Sequence, residues 1–205
     1  MGPGRRAIPF AFRPLPARTE SQGRDSCATS WILAIRDAPL LSIGNTPPDD
    51  SAVAALLERY RRAGLRIVTA ESCTGGLVAG RLTDMAGSSD VVERGFVTYS
   101  NESKTELLGV PVPMIAQYGA VSAQTARAMA EGALSHARAD LAIAITGIAG
   151  PGGATPGKPV GLVYLATARK NGETRVERQH FAGDRQAVRG AALTRALELL
   201  DAALT

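Results

Sequence analysis

The sequence predicts an α/β fold, a three-layer α/β/α sandwich around a mixed sheet of about five strands. Two observations carry this prediction. Apolar runs of strand length alternate with helical patterns, and one run, LAIAI at 141–145, is apolar at every position. Such a run is typical of a central strand that helices cover on both faces. The 205 residues, 45% of them hydrophobic, suffice for one substantial core.

The first half of the domain alternates helix and strand. A helix is predicted from a cap at 49–51 to a stop at Gly64, because apolar residues recur between them at helical spacing. A strand over 65–70, a helix over 74–86 and a β-prone segment over 94–100 follow.

The second half continues the alternation. Helices are predicted over 104–108, from a Ser122 cap to Ala137, and over 184–204, with a proline break at 111 and 113 after the first. Strands are predicted over 141–145, 160–168 and 175–181, and KNGE at 170–173 is typical of a hairpin turn. We expect one domain over 46–205, preceded by an extension over 1–45 that is disordered or wrongly started.

Composition argues against several classes of protein. The net charge of +4 comes mostly from residues 1–48, which hold six Arg against three acids. With 4% aromatic content and no basic stripe, we predict no nucleic-acid surface. No apolar run approaches the roughly 18 residues of a membrane span. Cys27 and Cys73 form no disulfide framework, which favours the reducing cytoplasm.

The run VTAESCTGG, starting at residue 68, leads a β-prone segment into a tight turn rich in reactive groups. Backbone N–H groups around Thr74, Gly75 and Gly76 can form an oxyanion hole or hold a substrate phosphate. Ser72, Cys73 and Thr74 are all candidate nucleophiles. The alternative is a structural turn, since Ser72 and Thr74 also suit helix N-caps.

Standard catalytic arrangements do not fit this chain. The turn lacks the Walker pattern, and no dinucleotide fingerprint follows the first strand. His136 lies within an Ala-rich predicted helix and His180 near the end of a late predicted strand, which argues against a Ser-His-Asp triad. No cluster of metal ligands is visible. We therefore expect neither a metal nor an organic cofactor.

A lysine can activate the serine instead. The chain holds 20 Arg but three Lys, and of the two residue types only lysine readily loses its proton. Lys158 lies in a Gly-Pro loop and Lys170 in a hairpin turn, whereas Lys104 follows a strand end and is the candidate base. Its pKa would have to fall from about 10.4 to roughly 7, which burial can cause, and Tyr99 could relay the proton. An exposed position at a helix start is the alternative.

Six motifs in order closely resemble the C-terminal domain of the CinA family. They are TAESCTGG at 69–76, GSS at 87–89, RGFVTYSN at 94–101 with Lys104, GAVS at 119–122, TGIAGPG at 146–152 and KPVG at 158–161. The likeness runs from about residue 50 to the end. It implies a fold that resembles anticodon-binding domains, and a homodimer. Proteins with this domain alone are nicotinamide-mononucleotide deamidases, which form nicotinate mononucleotide and ammonia.

Residue by residue, the resemblance implies Ser72 as nucleophile, Lys104 as general base and Tyr99 as a supporting hydroxyl. Ser72 and Lys104 should then lie within hydrogen-bond reach, facing the second glycine run. The resemblance implies a nucleotide site formed by Thr74, Gly75, Gly76, Asn101, Thr146, Gly147, Gly150, Gly152 and Arg185.

Two alternatives stay open at this point. One is a cysteine amidase that uses Cys73. The other is a nucleotide-binding or regulatory module without turnover. Full-length CinA proteins also carry a large N-terminal domain associated with pyrophosphatase activity, and that activity is not predicted from the 45 residues of the extension.

Overall fold

The computed structural model describes residues 49–204, and the extension expected over 1–45 lies outside them. The helices are α1 (Asp50–Ala63), α2 (Leu77–Thr83), α3 (Asn101–Leu108), α4 (Val112–Tyr118), α5 (Ala123–Ser135) and α6 (Arg185–Ala202). The strands are β1 (Ile67–Glu71), β2 (Val92–Val97), β3 (Leu141–Gly147), β4 (Leu162–Arg169) and β5 (Thr174–His180). Within this part of the chain no helix is long and apolar enough to cross a membrane.

The five strands form one mixed sheet in the order β2-β1-β3-β4-β5. β2, β1 and β3 run parallel, while β4 and β5 form an antiparallel hairpin beside β3. Glu71, the last residue of β1, lies opposite Val97 of β2 and Ile145 of β3. The three parallel strands therefore end at one edge of the sheet, where open α/β sheets place their sites.

Helices cover both faces of the sheet, as the sequence predicts. α1, α2 and α6 share one apolar core with the sheet, and α3, α4 and α5 share the other. β3 divides its side chains between the two: Leu141, Ile143 and Ile145 face the first core, and Ala142 and Ala144 face the second. The three-layer prediction, based on the uniformly apolar run at 141–145, is confirmed.

The helices α3 and α4 differ from the prediction. α3 ends at Leu108, before the expected break at Pro111 and Pro113, but the break is followed by a helix that was not predicted, α4, with Pro111 as its N-cap residue. Proline fits a first helical turn, whose N–H groups have no partner inside the helix. α3 begins at Asn101 rather than at residue 104, because the Ser100 side chain accepts a hydrogen bond from the N–H of Ser103.

Candidate active site

Ser72 and Lys104 meet because each points to the same layer of the sandwich. Side chains alternate along a strand, so Ser72, directly after β1, continues the face of Val68 and Ala70. α3 presents Lys104, and Leu108 one turn later, to that layer. Ser72 Oγ lies 3.1 Å from Lys104 Nζ, and the two residues are 9% and 1% exposed. The hydrogen-bond distance expected from the sequence is confirmed.

Three oxygen atoms surround Lys104 Nζ. Nζ lies 2.8 Å from the carbonyl oxygen of Thr98 and 3.3 Å from that of Ser100. A carbonyl oxygen can only accept, so these two contacts use two N–H groups of Nζ. The third position faces Ser72 Oγ, to which an ammonium donates and from which a neutral amine accepts. Burial lowers the pKa of Lys104, and the negative charge of the Glu102 carboxylate opposes that shift.

Cys73 lies on the other face of the sheet. Its side chain is buried in the core that α1, α2 and α6 share with β1. Burial, followed by the negative charge of Glu71, raises the pKa of the Cys73 thiol to about 12. Only about one thiol in 10⁵ is then a thiolate at pH 7, and the thiolate is the nucleophilic form. This environment does not support the cysteine-amidase alternative.

The turn after Ser72 differs from the predicted anion cradle. Gly75 donates its backbone N–H to the carbonyl oxygen of Ser72 at 3.0 Å. Gly76 donates its own to the Glu71 carboxylate, also at 3.0 Å. The φ angles of Gly75 and Gly76 are 62° and 95°, which glycine adopts without strain. In this structure these two N–H groups are engaged inside the turn. A role of the turn in binding an oxyanion or a phosphate stays a prediction.

The start of α2 follows from the hydrogen bond between the Gly76 N–H and the Glu71 carboxylate. The sequence predicts a helix from residue 74, and in the alternative of a structural turn Ser72 or Thr74 is an N-cap. In the structure α2 starts at Leu77, the N-cap is Gly76, and no side chain of the cap residue bonds to the helix. The Thr74 hydroxyl is buried without a hydrogen-bond partner. The predicted start fails because Glu71, which precedes the turn, supplies the acceptor.

The second glycine run borders the Ser72 turn, since Ser72 donates its N–H to the carbonyl of Ile145 at 2.9 Å. Thr146 is buried, and its hydroxyl donates to the carbonyl of Ala120 at 2.8 Å. A Cβ on Gly147 would lie 2.7 Å from a methyl carbon of Val163 in β4. In this structure the Thr146 hydroxyl and Gly147 hold the loop against its neighbours.

Arg185 bridges the rim of the site. It donates from Nη1 to the carbonyl of Gly150 at 3.0 Å and from Nη2 to the Tyr99 hydroxyl at 2.8 Å. Tyr99 is 61% exposed, and its hydroxyl bonds to Arg185 rather than to Ser72 or Lys104. The supporting hydroxyl expected beside the pair is therefore not placed there. Of the remaining loop positions, Gly152 is exposed.

Asn101 is likewise not brought to Ser72. It is the exposed first residue of α3, and with Val112 and Ile115 it lines a hollow of about 510 Å³ between α3 and α4. This hollow lies on the outer side of the helix that carries Lys104. The structure thus gives no contact between Asn101 and the Ser72–Lys104 pair.

Sequence reasoning missed Arg189. Its Nη2 donates to the carbonyl of Thr74 at 2.8 Å, directly beside the Ser72 turn. Arg185 and Arg189 are four residues apart in GDRQAVR at 183–189, a spacing that places both on one side of α6 and was available as a signal. Among the described residues neither arginine forms an ion pair with a carboxylate.

The site therefore combines a buried serine–lysine pair with two arginines that lack counter-charges. Over residues 49–204 no group of three or more His, Cys, Asp and Glu side chains is placed to hold a metal ion. Such an arrangement can perform nucleophilic chemistry on a substrate that carries negative charge.

The chain is similar in sequence to known proteins. Residues 49–204 match the CinA C-terminal domain family. The chain is 51% identical over 155 residues to the Escherichia coli K12 protein named nicotinamide-nucleotide amidohydrolase PncC, covering 74% of this chain and 94% of that protein. It is 55% identical over 151 residues to a CinA-like protein of Citrifermentans bemidjiense, covering 74% of this chain and 36% of that protein.

The fold comparison gives the same result. The competence/damage inducible protein CihA from Agrobacterium tumefaciens superimposes with a TM-score of 0.74 at 48% identity, covering 78% of this chain and 98% of that one. The chain spans about a third of the length of the CinA-like relatives that it matches. The match over 49–204 includes both glycine runs and Lys104, and the chain belongs to the CinA C-terminal domain family.

Proposed function

We propose that this protein hydrolyses the carboxamide of nicotinamide mononucleotide to nicotinate mononucleotide and ammonia. Ser72 acts as nucleophile and Lys104 as general base. The observation that carries the proposal is the buried contact of 3.1 Å between Ser72 Oγ and Lys104 Nζ. The relative named nicotinamide-nucleotide amidohydrolase, 51% identical, supports the choice of an amide bond as the target.

The proposed reaction proceeds in two halves. Lys104 Nζ accepts the Ser72 hydroxyl proton while Oγ attacks the carboxamide carbon, and the tetrahedral intermediate collapses when the ammonium returns that proton to the leaving nitrogen. Ammonia departs and an acyl ester on Ser72 remains. Lys104 then takes a proton from a water molecule, whose oxygen attacks the ester carbon. When the ester opens, Lys104 returns a proton to Ser72 Oγ and nicotinate mononucleotide leaves as the carboxylate. The carbonyls of Thr98 and Ser100 hold Nζ throughout both halves.

The charge of the site supports a phosphorylated substrate. Arg185 and Arg189 contact neutral oxygens of Thr74, Tyr99 and Gly150. A phosphate group complements two guanidinium groups with strong, charge-assisted hydrogen bonds. We therefore propose that the mononucleotide is preferred over nicotinamide riboside and over free nicotinamide.

The direct test measures ammonia release from nicotinamide, its riboside and its mononucleotide under the same conditions. We expect the highest kcat/KM with the mononucleotide and the lowest with free nicotinamide. An absence of ammonia from all three compounds would contradict the proposed activity. Calorimetric binding of the mononucleotide without turnover would favour the alternative, a nucleotide-binding regulatory module.

The Arg185→Gln protein is expected to lose affinity for the phosphate while keeping its chemistry. Hydrogen bonds to charged groups contribute about 1.5–3 kcal/mol, so we expect kcat/KM for the mononucleotide to fall roughly 10- to 150-fold, mainly through KM. The value for the riboside should stay within about three-fold. Arg178→Gln, at an exposed position of β5, is the matched control. Equal losses with both substrates would contradict the phosphate role.

The Cys73→Ala protein is expected to turn over the mononucleotide at the parent rate, within about three-fold, because the thiol lies in the opposite core with a raised pKa. Steady-state kinetics on protein whose fold has been checked by circular dichroism decides the question. A loss of several hundred-fold in a folded protein would revive the cysteine-amidase mechanism.

Two further properties are part of the proposal. The cytoplasm is the proposed compartment, and the free buried thiol of Cys73 is compatible with it. The homodimer implied by the family resemblance stays a prediction.

A further inference from the structure

The Glu71 carboxylate, at the end of β1, accepts hydrogen bonds from the start of α2. Its Oε2 accepts the backbone N–H groups of Gly76 at 3.0 Å and Val78 at 3.1 Å, and its Oε1 accepts that of Ala79 at 2.8 Å. The residue is 0% exposed. Over the described residues, these hydrogen bonds of the carboxylate all come from backbone amides. A buried carboxylate is thus held by the start of α2.

These bonds supply what the helix start lacks. The first N–H groups of a helix have no partner within it, and Gly76, the N-cap residue, has no side chain to offer. A carboxylate at this end complements the helix dipole, and its charge-assisted bonds are stronger than those of a neutral acceptor. The position of α2, and with it the turn that carries Ser72, depends on Glu71.

The main chain of Glu71 also reaches the lysine. The Glu71 carbonyl accepts the N–H of Thr98 at 2.8 Å, and the Thr98 carbonyl in turn accepts from Lys104 Nζ at 2.8 Å. Lys104 Nζ in turn lies 3.1 Å from Ser72 Oγ. Glu71 therefore directly precedes the nucleophile Ser72 in the chain, and its carbonyl bonds to Thr98, the residue whose own carbonyl binds Lys104 Nζ.

We propose that Glu71 is a positioning residue that holds Ser72 in line with Lys104 by closing the turn with its buried carboxylate. Its side chain belongs to the α2 side of the sheet, whereas Ser72 faces α3, so it acts through the backbone and not on the reacting atoms. This inference rests on the proposed function for its catalytic consequence and on the hydrogen bonds alone for its geometry.

The Glu71→Gln protein tests the catalytic consequence. Glutamine keeps the size but replaces one acceptor with an NH₂ group that faces N–H donors. Misplacement of a reacting group by about 1 Å costs on the order of 100-fold, so we expect kcat to fall by roughly that factor with KM for the mononucleotide within two-fold. The ascending limb of the pH–rate profile should keep its midpoint, because Lys104 is retained.

Glu173→Gln, exposed in the β4–β5 turn, is the control and should match the parent. A kcat within three-fold of the parent for a folded Glu71→Gln protein would overturn the proposal. So would a rise in KM with kcat unchanged. Thermal unfolding is measured for each protein, so that kcat refers to folded enzyme.

The Glu71→Ala protein, refolded with and without sodium formate, covers the case in which the glutamine variant fails to fold. Formate can occupy the space of the lost carboxylate and accept the same N–H groups. We expect a saturable recovery of kcat of at least ten-fold with formate and none with sodium chloride at equal ionic strength. Folded protein that formate does not rescue would overturn the proposal.

Amide hydrogen exchange separates this inference from the proposed activity. The N–H groups of Gly76, Val78 and Ala79 should exchange at least ten-fold faster in the folded Glu71→Gln protein than in the parent, with β3 unchanged. A parent that releases no ammonia defeats the proposed function, and the exchange data still judge the role of Glu71 in the turn. Equal protection of the three amides in both proteins would overturn it.

Discussion

The Ser72→Ala protein is expected to release ammonia from nicotinamide mononucleotide at least about 10⁴-fold more slowly than the parent. The substitution removes the only atom of residue 72 that can form the acyl ester. Lys104 Nζ keeps its contacts with the carbonyls of Thr98 and Ser100, but it has no hydroxyl proton of residue 72 to accept. The measurement is kcat from continuous ammonia detection, with burst experiments on the parent to observe the acyl-enzyme.

The loss should occur without loss of the fold. The Ser72 side chain forms its hydrogen bond with Lys104, while its backbone N–H is held by Ile145 and is unchanged by alanine. Ser135→Ala, at the exposed end of α5, is the control for a removed hydroxyl. Turnover at the parent rate by Ser72→Ala would refute both the nucleophile assignment and the proposed mechanism.

The alternation of strands and helices could be predicted because each element carries a local pattern. LAIAI at 141–145 divides into large and small apolar residues on opposite faces, as a doubly covered strand requires. The same two-residue period decides which side chain meets Lys104: Ser72 continues the face of Val68 and Ala70, and Cys73 does not. That argument follows from the two-residue period of the sequence alone.

Contacts that depend on the shape of the turn or on tertiary packing were not predictable. Glu71 bonds to amides five to eight residues further along, and a glycine at the cap position gives no signal of where the helix starts. Arg189 reaches the Thr74 carbonyl across 115 residues of sequence, which depends on how α6 packs. The packing of α6 also explains why the Tyr99 hydroxyl bonds to Arg185 and not, as was predicted, to the Ser72–Lys104 pair. Local patterns carry no information on such partners.

The Lys104→Arg protein is expected to lose about 10³-fold in kcat at neutral pH, within the range by which general bases accelerate reactions. Arginine keeps the positive charge and can still donate hydrogen bonds, but it does not lose its proton in proteins and cannot accept one from Ser72. Lys170→Arg, in the exposed hairpin turn, provides the same change of residue outside the site.

The pH dependence distinguishes loss of the base from loss of packing. Burial places the pKa of Lys104 below its ordinary value of 10.5. The kcat/KM of the parent should therefore rise with pH and reach a plateau, and the midpoint of the rise should lie below pH 10.5. Between the lowered pKa of the folded protein and the ordinary pKa of 10.5 in the unfolded chain, Lys104 binds fewer protons in the folded state than in the unfolded state. The free energy of unfolding should therefore also increase with pH across that window.

Both pH effects should disappear together in Lys104→Met. This side chain has no proton to exchange, so its stability lacks the increase below pH 10.5 and its residual rate lacks the ascending limb assigned to Lys104. Urea unfolding and kcat/KM are measured at matched pH values for the parent and the variant. A limb that persists unchanged in the methionine protein would assign the titration to another group and remove Lys104 as the base. Coincident loss of the kinetic limb and the stability increase would tie both to the one buried amine beside Ser72.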